Sequence, residues 1–197
     1  MAAQALNSDI DLINAALTAT GNEPITSLED ADSQSVVSAA NWEAVVGAEF
    51  GSYPWSWTMT TRRLNRVAGD TDTTWTTAWQ VPDGVEVDRV EVGGRPVPWE
   101  SMSDLILTNE TEGVVAIGRW RPPVRSWPPL FKTAIVMRLE ALFLRAMNED
   151  FAAADTRDKD ADRLIRLGRH ADSRKHSPRK PSSPSALLEA RRGKNLG

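Results

Sequence analysis

Residues 12–30 read Leu12-Ile13-Asn14-Ala15-Ala16-Leu17-Thr18-Ala19-Thr20-Gly21-Asn22-Glu23-Pro24-Ile25-Thr26-Ser27-Leu28-Glu29-Asp30. An apolar helical run stops at Gly21, a turn containing Pro24 follows, and Ser27-Leu28-Glu29-Asp30 prepares a second helix. Upstream, Leu6, Ile10, Ile13 and Leu17 recur at helical spacing and form one stripe. Ser8 with Asp11 three residues later fits a capping pattern at the helix start. Gly21 is placed to end the helix in the left-handed region that glycine tolerates. The second helix is predicted from near Asp32 to about Phe50, with Val37, Ala40, Ala44 and Ala48 on one side, and Pro54 forbids its continuation. Two antiparallel helices joined by a structured turn is the economical reading.

Downstream the periodicity changes. Trp55, Trp57 and Met59 alternate with Ser56 and Thr58, which is strand spacing. In the strand that follows Pro82, Val85, Val87, Arg89 and Glu91 are expected on one face, with Glu86, Asp88, Val90 and Val92 on the other. Gly93-Gly94 is a hairpin signal. Residues 104–108 and 114–120 read as two further strands around an Asn109-to-Gly113 turn. Pro122-Pro123 and Pro128-Pro129 bracket a rigid connector. From Leu130 to Met147 the pattern returns to helix, with Leu130, Ala134, Met137, Ala141 and Leu144 on one stripe. Ile135, Leu139, Leu142 and Ala146 widen it, which implies burial on more than one side. A more charged fourth helix is expected from about Phe151 to Leu167.

The expected fold is therefore α+β. Residues 1–57 and 128–172 form an antiparallel bundle of about four helices, residues 58–127 a small antiparallel β insert, and residues 173–197 an extended basic C-terminal arm. The Ser/Pro/Lys/Arg composition of 177–185 predicts disorder in the isolated chain.

Charge is segregated along the chain. Residues 1–61 hold no Lys or Arg against eight acids, Asp9, Asp11, Glu23, Glu29, Asp30, Asp32, Glu43 and Glu49. Residues 174–197 hold seven basic residues and one acid, Glu189, a charge of +6, so the remainder carries −10 to reach the net −4. An acidic body with a basic arm suggests two ends that meet different surfaces. The chain has no Cys, which removes disulfides, thiolate metal sites and Cys nucleophiles. Its N-terminus lacks the basic and apolar regions of a signal peptide. No apolar run approaches the roughly 20 residues that span a bilayer. A soluble protein made in a cytoplasm, without membrane contact, is expected.

Residue constellations for chemistry are sparse. Asp155, Asp158, Asp160 and Asp162 invite a calcium reading, but Arg163 and Arg169 stand where that loop needs Gly and Glu. Interleaved Arg157, Lys159 and Arg163 favour a solvated helix face. His170 and His176 have no carboxylate at ligand spacing, and Glu43 and Glu49 fall on different faces of one helix. No nucleophile elbow, phosphate-binding loop or dinucleotide glycine pattern occurs. No catalytic residue, metal or cofactor is expected. Eight Trp residues surround the β region. Packing in the core or at subunit and tail interfaces fits them better than base or sugar stacking, with Trp55, Trp79, Trp99, Trp120 and Trp127 as the candidates.

Several blocks in order resemble the tail tubular protein A family of short-tailed bacteriophages. Ile13-Asn14-Ala15-Ala16-Leu17, Gly21, Pro24-Ile25, Ser27-Leu28 and Asp30 match its opening helical hairpin. Tyr53-Pro54-Trp55 resembles its step out of the second helix. Trp79-Gln80-Val81-Pro82-Asp83 is similar to its strand entry, with Val81 in place of Leu. Leu107-Thr108, Pro129-Leu130-Phe131 with Ala134 and Arg138-Leu139, and the C-terminal Leu187-Leu188-Glu189-Ala190-Arg191 are similar to later family segments. The Thr/Trp-rich 70s and the spacing within the Pro/Ser-rich tail depart from the pattern.

The resemblance implies a virion protein at the head-to-tail interface. It would be a homo-oligomer, a twelve-fold adaptor ring between the portal protein and the distal tail tube or nozzle protein, assembled in a bacterial cytoplasm. Double-stranded DNA would pass through its lumen without specific binding. Leu187, Leu188, Arg191 and Arg192 are the arm residues expected to anchor on the portal. Two alternatives are a DNA-binding accessory protein acting through Ser177-Pro178-Arg179-Lys180 and a tail-associated glycan hydrolase. The first requires steep salt dependence, the second two carboxylates about 5–9.5 Å apart in a cleft.

Overall fold

In a computed structural model of the chain, residues 6–68 and 74–175 are described. There are four helices, α1 (Asp9–Ala19), α2 (Ser33–Gly51), α3 (Pro129–Ala146) and α4 (Phe151–Ser173), and the β region is inserted in the chain between α2 and α3. The α+β reading and the helical bundle hold.

Local chemistry accounts for the helix ends. The Asp11 amide donates to Ser8 Oγ at 3.2 Å, and the Ser8 amide donates back to the Asp11 carboxylate at 2.9 Å, a complete capping box. At the other end Gly21 has φ +76°, the Gly21 amide reaches Thr18 O and the Asn22 amide reaches Leu17 O. Those two bonds form a Schellman motif. Asn14 then clips the return turn to α1: its Oδ1 accepts from the Ile25 amide at 2.8 Å and its Nδ2 donates to Ile25 O at 2.9 Å. Asp32 caps α2 through the Ser35 amide, and Asp150 caps α4 through the Ala153 amide. α4 runs six residues past the expected Leu167, to Ser173.

The bundle core joins Leu12, Ile13 and Leu17 of α1 to Phe131, Ile135, Leu139 and Phe143 of α3, with Trp42, Val46 and Ile165 closing it. Phe131 is ringed edge-on by Phe50, Trp55, Trp57 and Trp127 at 5.1–5.4 Å between centroids. Each such pair contributes about 0.5–1.5 kcal/mol beyond its buried area. α3 is buried on more than one side, as its wide apolar arc requires, while Leu130 and Ala146 are exposed at its two ends.

The side of α2 that carries Ala40, Ala44 and Ala48 is the exposed one, and the buried side is Ser35, Ser38, Trp42, Val46 and Glu49. Polar groups with partners made the difference: Ser35 Oγ donates to Ser27 O and the Asp32 carboxylate, and Glu49 pairs with Arg138. Trp55 and Trp57 do not lie on a strand. Ser56–Thr58 is a 3-10 turn, and the first strand begins at Met59.

The β region contains two sheets rather than one. β1 (Met59–Arg63), β8 (Val114–Trp120), β4 (Val85–Val92) and β5 (Arg95–Pro96) form the first, in that spatial order. β2 (Asn65–Val67), β3 (Thr77–Gln80), β7 (Leu105–Thr108) and β6 (Glu100–Met102) form the second. Strands β7 and β8, read as neighbours around one turn, belong to different sheets. Leu64, buried between β1 and β2, is the point where the chain passes between sheets, and its amide donates to Val114 O. A second core of Leu64, Trp79, Val90, Ile106, Val114 and Ala116 fills the space.

The pairing of β4 with β8 shifts register between Val87 and Arg89. One extra residue, Asp88, reverses the alternation beyond it, so Val87, Val90 and Val92 all pack on the β core and Arg89 is exposed. This replaces the strict alternation expected from sequence. At Gly93-Gly94 both φ values are positive, and the turn is the two-residue hairpin the dipeptide signals.

Candidate interaction surfaces

The five Trp residues singled out from sequence divide by burial. Trp55 (2% exposed), Trp79 (4%) and Trp127 (3%) are core residues of this chain, which leaves their rings almost no surface for a partner. Their indole N–H groups are satisfied internally, by Glu49 O, Thr77 Oγ1 and Pro122 O respectively. Trp99 and Trp120 are half-buried on the β region, and Arg62 stacks over Trp120 at 5.7 Å. The portal-arm residues Leu187, Leu188, Arg191 and Arg192, and the Ser177-Pro178-Arg179-Lys180 stretch, lie outside the described residues.

Charged side chains are organised into networks that join elements. Arg138 of α3 binds Glu49 of α2 at 2.8 Å and, from α4, Asp158 at 2.9 Å together with Asp162. Arg145 adds Asp155 and a second bond to Asp158. Burial disfavours the Arg138 charge, but its bonds to Asp158, Glu49 and Asp162 outweigh that and hold it fully protonated. The acids that suggested calcium are thus largely committed to arginines. Among the described residues, no group of three or more His, Asp or Glu side chains is placed to hold a metal ion. Arg121 lies 5.8 Å from the ring centroids of Trp42, Phe50 and Trp127 while it pairs with Glu43 at 2.6 Å.

The three buried carboxylates are each held by neighbours. Glu49 serves Arg138, Asp172 accepts from Ser56, and Glu140 meets Arg157 at 2.8 Å. Burial raises the pKa of Glu140, and Arg157 only partly opposes it.

Two concavities mark the boundaries between elements. The first, about 290 Å³, separates the end of α2 from the first sheet and is lined by Gly47, Gly51, Gly84, Arg119 and Trp120 among others. The second, about 200 Å³, is an apolar groove walled by Trp55, Trp57, Leu130 and Phe131, with Gly168 and Lys175 of the α4 end along it. Alongside α2, Val36 is 56% exposed, and Ala40, Ala44 and Ala48 continue that apolar face. The groove was not foreseen. Its residues were legible one by one as aromatic and proline signals, but their convergence on the end of α4 was not. What these surfaces offer chemically is contact area, bounded by charges that are already paired. Among the described residues, no helix is long and apolar enough to cross a membrane.

Compared with protein-family models and with curated protein sequences, the chain matches none.

Proposed function

We propose that this chain is a structural protein of a short-tailed phage, a head-to-tail adaptor. It would assemble as a twelve-fold ring between a portal and the distal tail, with no catalytic role. The observation that carries the reading is the segregation of charge. Glu23, Glu29, Asp30 and Asp32 are exposed on a helical hairpin that contributes no Lys or Arg of its own, while in sequence the seven-base arm follows α4. A conduit wall for DNA works best when it does not bind phosphates, and an acidic face repels them. The basic arm is the complementary element, a segment of opposite charge that suits a different partner surface.

The fold supports this reading in a second way. Several residues that carry the family resemblance have defined structural work here, including Asn14, Gly21, Ile25 and Asp30. Ring formation by a heterologous contact needs extended unpaired surface on each protomer, and the α2 face supplies some.

The test is to mix the protein with the portal ring of the same phage and image the product by electron microscopy. The same mixture is made with a version truncated after Arg174. A capped portal with the full chain and a bare portal with the truncated one support both the adaptor and the arm. A bare portal in both cases refutes the adaptor reading. Duplex binding that weakens steeply with salt and is lost on truncation would instead favour the DNA-binding alternative.

A further inference from the structure

The exposed side of α4 carries a run of cations. Lys159, Arg163, Arg166 and Arg174 recur at helical spacing, on the side opposite the buried Ala154, Ala161, Ile165 and Asp172. The run extends over about 22 Å of helix. Among the described residues, none of these four side chains has an ion pair or a hydrogen bond. The acids of the same helix do not relieve them. Asp155, Asp158 and Asp162 are turned to one flank, where Arg138 and Arg145 hold them, and Asp172 accepts from Ser56. Asp160 alone is uncommitted. Like charges three and four residues apart repel across a helix face, here at Lys159 with Arg163 and at Arg163 with Arg166. The free chain therefore carries a repulsion that an acidic partner would remove.

The same chain displays such a partner. Glu23, Glu29, Asp30 and Asp32 are exposed on the turn that leads from α1 into α2, and no Lys or Arg occurs before Arg62. Bonds from Thr26 and Ser27 to Asp30, and from Ser35 to Asp32, fix these two carboxylates without neutralising them. Each patch also has one large apolar residue on its border. Val36, one turn into α2 from Asp32, is 56% exposed, and Leu167, beside Arg166, is 49% exposed. The two patches match in charge and in apolar content, yet no ion pair joins them within one chain. That combination fits two copies. A nucleic acid would satisfy the cations, but it leaves Leu167 and the acidic turn without a role.

We propose that the cationic side of α4 in one copy of the chain packs on the acidic α1–α2 turn of the next, with Leu167 against Val36. The two surfaces differ, so the contact is head-to-tail, and successive copies either close into a ring or propagate. Exposed ion pairs each contribute little affinity. The charges therefore set which surfaces meet and in which register, while the apolar pair supplies buried area. The contact deepens the ring part of the adaptor reading and needs no portal.

The test uses the purified full-length chain and two surface variants. One is Glu23→Lys with Glu29→Lys, and the other is Arg163→Glu with Arg166→Glu. Sedimentation velocity is run over a concentration series at low and at moderate salt. The wild-type chain is expected to self-associate, and more weakly as salt rises, because a Debye length of about 8 Å at physiological ionic strength screens exposed charges. Each variant alone is expected to associate at least tenfold more weakly. An equimolar mixture of the two is expected to regain association, since the cationic side of one meets the acidic turn of the other. Each double substitution shifts the net charge of −4 by four, to 0 in one variant and −8 in the other. General attraction between a positive and a negative protein therefore cannot produce the recovery. A carbodiimide crosslink from Lys159 of one copy to a carboxylate of the 23–32 turn of another, read from mixed isotopically light and heavy chains, is expected to locate the contact. A wild-type chain that stays monomeric up to its solubility limit at low salt overturns the proposal. So does association that both variants retain, or a mixture that does not recover. Duplex DNA bound through Arg163 and Arg166 by a chain that does not self-associate would assign the stripe to nucleic acid instead. Failure of portal capping alongside recovery in the mixture would reject the adaptor and keep the contact.

Discussion

Asp172 near the end of α4 accepts two hydrogen bonds from Ser56, from its amide at 2.7 Å and from its hydroxyl at 2.5 Å, across 116 residues of sequence. The carboxylate is 4% exposed, so solvent offers Ser56 little replacement. This one side chain ties the 3-10 turn that leads from the bundle into β1 to the end of α4, beside the Trp55 and Trp57 rings that pack in the helical core. Replacing Asp172 with Ala should cost about 1–3 kcal/mol, the usual penalty for stranding buried donors. Urea denaturation would show it as a lower midpoint at unchanged slope. A midpoint within error of wild type would mean that the turn is held by its aromatic packing alone.

The clip at Asn14 makes a graded prediction. Asn14→Asp keeps the acceptor for the Ile25 amide but loses the donor to Ile25 O, and Asn14→Ala loses both. Stability should fall in the order Asn, Asp, Ala, with Ala about 1–3 kcal/mol below wild type. Hydrogen exchange at the Ile25 amide should accelerate strongly in the Ala variant and less in the Asp variant.

Gly118 of β8 sits opposite the bulge of β4. A Cβ there would stand 2.1 Å from Glu86 O and 2.9 Å from the Val87 Cα, both backbone atoms that cannot turn aside. Gly118→Ala should destabilise by about 1–3 kcal/mol through overpacking. Its thermal midpoint should drop while the helical circular dichroism before the transition stays unchanged. Gly47→Ala, with nothing within 4 Å of the added atom, is the matched control and should be neutral or better.

Glu140 gives a pH prediction. Burial raises its folded pKa above the ordinary value of 4.5, so the folded state holds the proton over a range where the unfolded state has released it. As pH falls through the raised value toward 4.5, this group makes folding progressively more favourable. Glu140→Gln removes that dependence. Denaturation of both proteins between neutral pH and the carboxylate range should show wild type gaining on the variant as pH drops. A constant difference would mean that Arg157 cancels the effect of burial.

What could be read from sequence was what neighbours in sequence decide. The Ser8 and Asp11 cap, the Gly21 stop and the Gly93-Gly94 hairpin are all built from residues within a few positions of each other, and each formed as expected. The failures share the opposite property. Trp55 and Trp57 follow strand spacing, but their turn is bonded to Asp172, 116 residues away, which no local pattern reveals. The valines of β4 alternate until Asp88, where the register shift involves a partner strand that also contains Gly118. Which side of α2 is buried was not legible, because Ser35, Ser38 and Glu49 are polar residues on the buried side while alanines lie outside. For the candidate surfaces, residue types gave Trp as core or interface, and only three-dimensional packing assigned Trp55, Trp79 and Trp127 to the core.

Met59 and Arg119, at the two ends of the β region, are paired opposite each other on adjacent strands. The region thus joins the helices through a two-stranded stem, with entry and exit side by side. A segment whose ends meet can be replaced by another of different size, or by a short turn, without forcing the flanking helices apart. The chain is in this sense a helical chassis with an exchangeable head.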